Sequence, residues 1–241
     1  MKRRIAIGVD DFEELRVSKN FYVDKTDFIR EWWQENDKVT LITRPRRFGK
    51  TLNMSMLNCF FSNRYAERGD LFEGLTVWED PAMREQQGKW PVISLSFANI
   101  KETSYASMMI TMKKVLVQLF LDFPELYHTD RLEPNEQIAL SQIREDMREE
   151  DASMSLHLLS RLLRKIYGKK VLIFLDEYDA PLQEAYIHGY WDDLVAFTRS
   201  LFNNAFKTNP SLERGVMTGI TRVSKESIFS DLNNLDVVTN T

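Results

Sequence analysis

Five apolar residues in unbroken succession, Val171-Leu172-Ile173-Phe174-Leu175, run directly into Asp176-Glu177. A strand with one wet face alternates apolar and polar residues. A strand without alternation is buried on both faces, as in the interior of a parallel sheet covered by helices. The neighbouring segments agree. Strand-like stretches at 38–43, 91–97 and 214–220 are separated by helix-like ones at 49–62, 104–123, 154–167 and 190–206. In the second of these helices Met108, Met112, Val115, Leu116 and Leu119 recur at helical spacing. The alternation predicts an α/β fold with a mainly parallel central sheet.

One domain is expected over residues 1–241, with an N-terminal segment at 1–37 and the core at 38–241. Residues 124–151 hold Pro124, Pro134 and many charges, ending Arg148-Glu149-Glu150-Asp151. They read as a surface insertion, solvated by default, with a short amphipathic helix at 136–147 through Ile138, Ile143 and Met147. Residues 235–239 are apolar enough to begin another strand with nothing after it to pack on, so the sequence reads as the front part of a longer protein.

Composition removes several classes. A net charge of −4 gives no global basic excess for nucleic acid. The one cysteine, Cys59, has no partner for an intramolecular disulfide; in its apolar helical stretch it reads as a small buried residue rather than a nucleophile. His128, His157 and His188 lack metal-ligand spacing. Acidic residues at 10, 11, 13 and 14 interrupt any signal-peptide core, and no apolar run approaches the ~20 residues of a membrane span. The cytoplasm is the expected compartment.

Chemistry concentrates at three strand ends. After the first strand come Arg44-Pro45-Arg46-Arg47-Phe48-Gly49-Lys50-Thr51. The last three residues close the phosphate-binding pattern G-x-x-x-x-G-K-[ST] between a strand and a helix. Gly49 lets backbone approach phosphate, the helix N-terminus faces the anion, Lys50 reaches the β- and γ-phosphates, and the Thr51 hydroxyl is a Mg²⁺ ligand. Arg44 stands where the pattern has its first glycine. Pro45 holds it extended, so Arg44 should continue the strand. The nucleotide-binding set is Pro45, Arg46, Arg47, Phe48, Gly49, Lys50, Thr51 and Leu52, although Arg46 and Arg47 equally suit a solvated loop.

Asp176 closes the buried strand as a second Mg²⁺ ligand, and Glu177 is a candidate general base for water. At the end of the following strand Thr218, Thr221 and Arg222 are candidates to contact γ-phosphate or water. Arg222 equally suits a pairing with Asp179.

The segments 22–26, 44–51, 175–181 (Leu-Asp-Glu-Tyr-Asp-Ala-Pro) and 218–229 resemble the bacterial AAA-ATPase-like domain family, over nearly the whole chain. The arginine at the first loop position matches that family's own form. The resemblance implies a three-layer P-loop NTPase with AAA-like (ASCE) strand order, C-terminally truncated. In it the strand ending at Thr218 lies between the P-loop strand and the one ending at Asp176, bringing Lys50, Asp176, Glu177 and Thr218 around one cleft. It also implies ATP and Mg²⁺ as ligands and a homo-oligomer or partner protein, with nucleic acid only by analogy to a nuclease-like domain often fused in the family. Mg-dependent ATP hydrolysis is the first expectation; a nucleotide-dependent switch with little intrinsic turnover is the second. A small-molecule kinase is disfavoured because 124–151 is acidic where a phosphate-covering lid is basic, and a ligand-free interaction domain because the motifs are ordered.

Overall fold

The unalternating run forms a strand over Val171–Asp176 with all six residues buried. A computed structural model describes residues 8–35, 37–220 and 235–238. Its elements are, in order, α1 (Phe12–Val17), α2 (Asp27–Gln34), β1 (Val39–Thr43), α3 (Lys50–Phe61), α4 (Thr76–Glu79), α5 (Pro81–Gln86), β2 (Val92–Ser96), α6 (Tyr105–Leu121), α7 (Pro134–Ser141), α8 (Glu149–Tyr167), β3 (Val171–Asp176), α9 (Ala180–His188), α10 (Trp191–Phe202), β4 (Leu212–Gly219) and β5 (Leu235–Val238).

The strands form one sheet in the order β2-β3-β4-β1-β5, every pairing parallel. The expected insertion of β4 between the loop-bearing β1 and β3 is therefore present. Residues alternate between two cores. Val39, Leu41, Ile173, Leu175 and Met217 pack with Met112 and Leu116 of α6, Leu159 and Leu163 of α8 and Leu201 of α10. On the other face Ile42, Leu172, Phe174 and Val216 pack with Leu57 and Phe61 of α3 and with Phe12, Ile29 and Trp32 from ahead of β1. Burying each such large apolar side chain is worth roughly 1.5–3 kcal/mol, so helix–sheet–helix layering follows from the pattern.

The segment ahead of β1 is part of that second core. The Trp32 indole N–H donates to Thr40 Oγ1 at 3.2 Å, and its ring meets Phe61 and Phe174 edge-on. Asp24, ahead of α2, meets two separate segments. One carboxylate oxygen accepts from the Thr26 N–H and hydroxyl, at 2.9 and 2.7 Å. The other accepts from the Thr76 N–H and hydroxyl, at 2.7 and 2.8 Å. It thereby ties the entrance of α2 to that of α4. Partial burial works to raise its pKa, but these four hydrogen bonds together outweigh it and hold the carboxyl below its ordinary value.

Two expectations for 124–151 need correction. The helix is Pro134–Ser141 rather than 136–147. Pro134 sits in its first turn, and Glu133 and Glu136 cap it reciprocally. Ile138 on that helix is 60% exposed, whereas Leu126, Leu132, Leu140, Ile143 and Met147 are buried against α8 and α6. The segment is charged outward and contributes to the core inward, and its apolar residues enter from turns that helical periodicity does not register. The helix expected from 154 begins at Glu149, because Glu149, Glu150 and Asp151 form a first turn whose charges complement the helix N-terminus. The helix expected over 190–206 runs Trp191–Phe202 and continues as a π-helical segment, Asn203–Lys207. Cys59 is buried as expected, and burial pushes its thiol up to about 12. Among the described residues no helix is long and apolar enough to cross a membrane.

Candidate functional site

β1 and β4 end level with one another, Ile42 opposite Thr218 and Thr43 opposite Gly219, and β3 pairs with β4 as far as Leu175 opposite Met217. The loop after β1, the turn after β3 and the residue after β4 therefore leave the sheet along one edge, at the carboxyl ends of adjacent parallel strands. Open α/β sheets bind ligands there.

β1 ends at Thr43, one residue short of the expected extension through Arg44, whose N–H donates to the Gly219 carbonyl at 3.2 Å as the last bond of the Thr43–Gly219 pairing. The chain then tightens. Arg47 and Gly49 both take left-handed backbone, at φ 69° and 73°, and α3 begins at Lys50. Nothing lies within 4 Å of a Cβ built on Gly49. Its glycine therefore answers to the positive φ, which costs other residues roughly 1–2 kcal/mol, rather than to crowding. The Lys50 ammonium is 2.9 Å from the Arg44 carbonyl and 3.1 Å from that of Pro45 and donates to both, fixing a buried cation across the loop. Pro45, Arg46, Arg47 and Phe48 are exposed, and Thr51 and Leu52 are half-buried in the first turn of α3.

On the neighbouring strands Asp176 is buried and its Oδ1 accepts from the Thr218 hydroxyl. The Glu177 N–H donates to that hydroxyl oxygen at 3.2 Å, and the Tyr178 N–H to the Thr218 carbonyl at 3.0 Å. Glu177 has φ 51°, an uncommon conformation for a residue with a Cβ. It turns the chain sharply off β3 and leaves its own side chain half-buried. The structure thus joins Asp176, Glu177 and Thr218 directly and sets Lys50 and Thr51 in the first turn of α3, after the loop that follows β1. Thr221 and Arg222 lie outside the described residues.

Sequence reasoning gave Asp179 only as a possible partner of Arg222 and gave Gly219 no role. Asp179 is fully buried; its Oδ2 accepts from the Ile220 N–H at 2.9 Å and from Gln183 Nε2 at 3.1 Å. A Cβ on Gly219 would lie 2.6 Å from the Tyr178 ring and 3.1 Å from the Asp179 carboxyl. A glycine closing a strand was the available signal, since glycine there often marks a close approach.

The donor set fits an anionic nucleotide carrying a hard cation. Arg44 Nε is buried beside the loop with no hydrogen-bond partner among the described residues, as a donor awaiting an anion would be. Asp176 Oδ2 receives no hydrogen bond among the described residues, which leaves an oxygen for a metal. No three His, Cys, Asp or Glu among the described residues form a metal cluster.

A protein from the vnfD 5′ region of Azotobacter chroococcum mcd 1, described as uncharacterized, is 26% identical to this chain over 245 residues, which are 98% of this chain and 40% of the relative. The chain thus spans about two fifths of that relative's length. No solved structure matches. A family model described as a predicted AAA-ATPase matches residues 6–229, in agreement with the parallel sheet and loop just described, and the chain belongs to this AAA-ATPase-like family.

Proposed function

We propose that this chain binds Mg-ATP at its sheet edge and hydrolyses it by in-line attack of water. The observation that carries the reading is the Thr218 hydroxyl at the end of β4, which joins Asp176 and Glu177 beside β1, the strand whose following loop leads into Lys50 at the start of α3. Phosphates lie over the N-terminus of α3, a 12-residue helix, within the loop formed by Pro45, Arg46, Arg47, Phe48, Gly49, Lys50, Thr51 and Leu52. Lys50 meets the β- and γ-phosphates. Thr51 and Asp176 hold Mg²⁺, which supplies charge neutralisation on the transferring group. Glu177 orients a water and takes its proton as the water oxygen bonds to the γ-phosphorus and the bond to the β-phosphate oxygen breaks. Thr218 keeps Asp176 and Glu177 in register, and Arg222 is the candidate for further charge on the γ-phosphate. The same reading keeps the cytoplasm as the expected compartment and a homo-oligomer or a partner protein as the expected association.

A nucleotide-dependent switch is the second reading. It is favoured by the two loop carbonyls that already engage the Lys50 ammonium, because ATP has to compete with them. Phosphate release separates the two. The purified chain with ATP and Mg²⁺ is expected to turn over steadily, on the order of 0.01–10 per second, and to stop on chelation with EDTA. Tight Mg-ATP binding without phosphate release would leave the switch. Release that persists in EDTA would remove the metal from the scheme.

A further inference from the structure

We propose that Asp179 is a positioning residue that holds Glu177 in its working conformation by bracing the turn after β3 against the end of β4. The proposal rests on the hydrolytic reading of the site. Asp179 stands at the N-cap of α9, where an aspartate usually turns back onto the helix's own first amides. Here it makes no side-chain cap. Pro181 removes one of those amides, and the carboxylate turns the other way, accepting from Ile220 N–H, 41 residues on, and from Gln183 Nε2. A carboxylate taken wholly out of water is costly unless such donors meet it, so the arrangement over-determines where the turn lies.

The adjoining residues point the same way. Thr218, Gly219 and Ile220 each touch the 176–179 turn: Thr218 through the Asp176, Glu177 and Tyr178 bonds, Gly219 through its missing Cβ, and Ile220 through Asp179. Between these fastenings sits Glu177 with its left-handed backbone. Such a conformation persists only where its surroundings impose it. Asp179 closes the brace on the far side of Glu177 from Asp176, and its backbone carbonyl is in turn fixed by the Gln183 N–H at 3.0 Å.

The test compares three variants of the whole chain. Asp179→Ala deletes the acceptor. Its kcat for phosphate release is expected to fall about 10-fold or more, with the KM for Mg-ATP within about 3-fold of wild type, because a displaced base affects chemistry more than binding. Exchange at the Ile220 amide should accelerate. Asp179→Asn, whose amide oxygen can accept the same two bonds, should restore kcat to within about 3-fold and slow that exchange again. Gln183→Ala, at a half-buried position, should lower kcat by about 2- to 5-fold, and it keeps the test decisive if Asp179→Ala does not fold. An Asn variant as poor as the Ala variant, unchanged kcat in Gln183→Ala, or kcat and binding lost together would overturn the positioning role. A wild-type chain that binds Mg-ATP and releases no phosphate would remove the hydrolytic reading itself, and Ile220 exchange would then judge the brace alone.

Discussion

Glu177→Gln is expected to cut phosphate release about 100- to 10,000-fold, the range a general base contributes, while Mg-ATP binding stays within about 3-fold of wild type. The substitution keeps shape and leaves the αL backbone as it is, so nothing that holds the turn is disturbed. The Glu177 N–H still donates to Thr218 Oγ1, and Asp176 still accepts from the same hydroxyl. Only the proton acceptor disappears. Steady-state phosphate release beside a binding titration checks this. A variant that hydrolyses ATP at the wild-type rate would move the base to another group and reduce Glu177 to a turn residue.

Gly219→Ala has the second large effect, through packing. The new methyl would stand 2.6 Å from a Tyr178 ring carbon and 3.1 Å from the Asp179 carboxyl, both inside ordinary contact distance. Tyr178 has nowhere to swing, being 1% exposed and edge-on to Phe202. The turn has to shift, and overpacking of this kind costs roughly 1–3 kcal/mol. For a chain of this size each kcal/mol lowers Tm by about 2–4 °C. Thermal unfolding of the variant should therefore fall by several degrees. Phosphate release should fall with it, because the displaced turn carries Glu177. Gly49→Ala makes an informative contrast: its Cβ meets open space, and its penalty comes from the positive φ alone. A Gly219→Ala chain with wild-type Tm and wild-type turnover would show that the turn accommodates the methyl without consequence.

Much of this fold was legible because long-period signals are hard to counterfeit. The helical spacing of Met108, Met112, Leu116 and Leu119 points to one face of a helix, and the run at 171–175 reads as a strand through its shortness and its β-branched and aromatic residues. Strand order was not carried by pattern at all and came from the family resemblance, since any parallel order satisfies the same alternation. Short elements were lost for a related reason. Helices α4 and α5 are too brief to display a period, and the apolar residues of 143–147 enter the core from turns. The start of α8 was obscured because its acidic first turn resembles a solvated charge run, whereas its end at Tyr167 is where the pattern put it.

The site divides along the same line. Lys50, Thr51, Asp176 and Glu177 were legible because their chemistry has a fixed spacing from a strand end. Asp179 and Gly219 became visible only in three dimensions, since their meaning is a contact between residues 40 apart in the chain. Asp24 is similar: local sequence gives its tie to Thr26, and only the fold gives its tie to Thr76.

The most direct measurement is a calorimetric titration of Mg-ATP into the folded wild-type chain, beside Lys50→Ala. Saturable one-to-one binding by wild type is predicted, weakened at least about 100-fold in Lys50→Ala, since a charged partner lost from an anion site commonly costs about 3 kcal/mol or more. Equal affinity in the two proteins, or no binding by a folded wild-type chain, would contradict a phosphate site built on this loop.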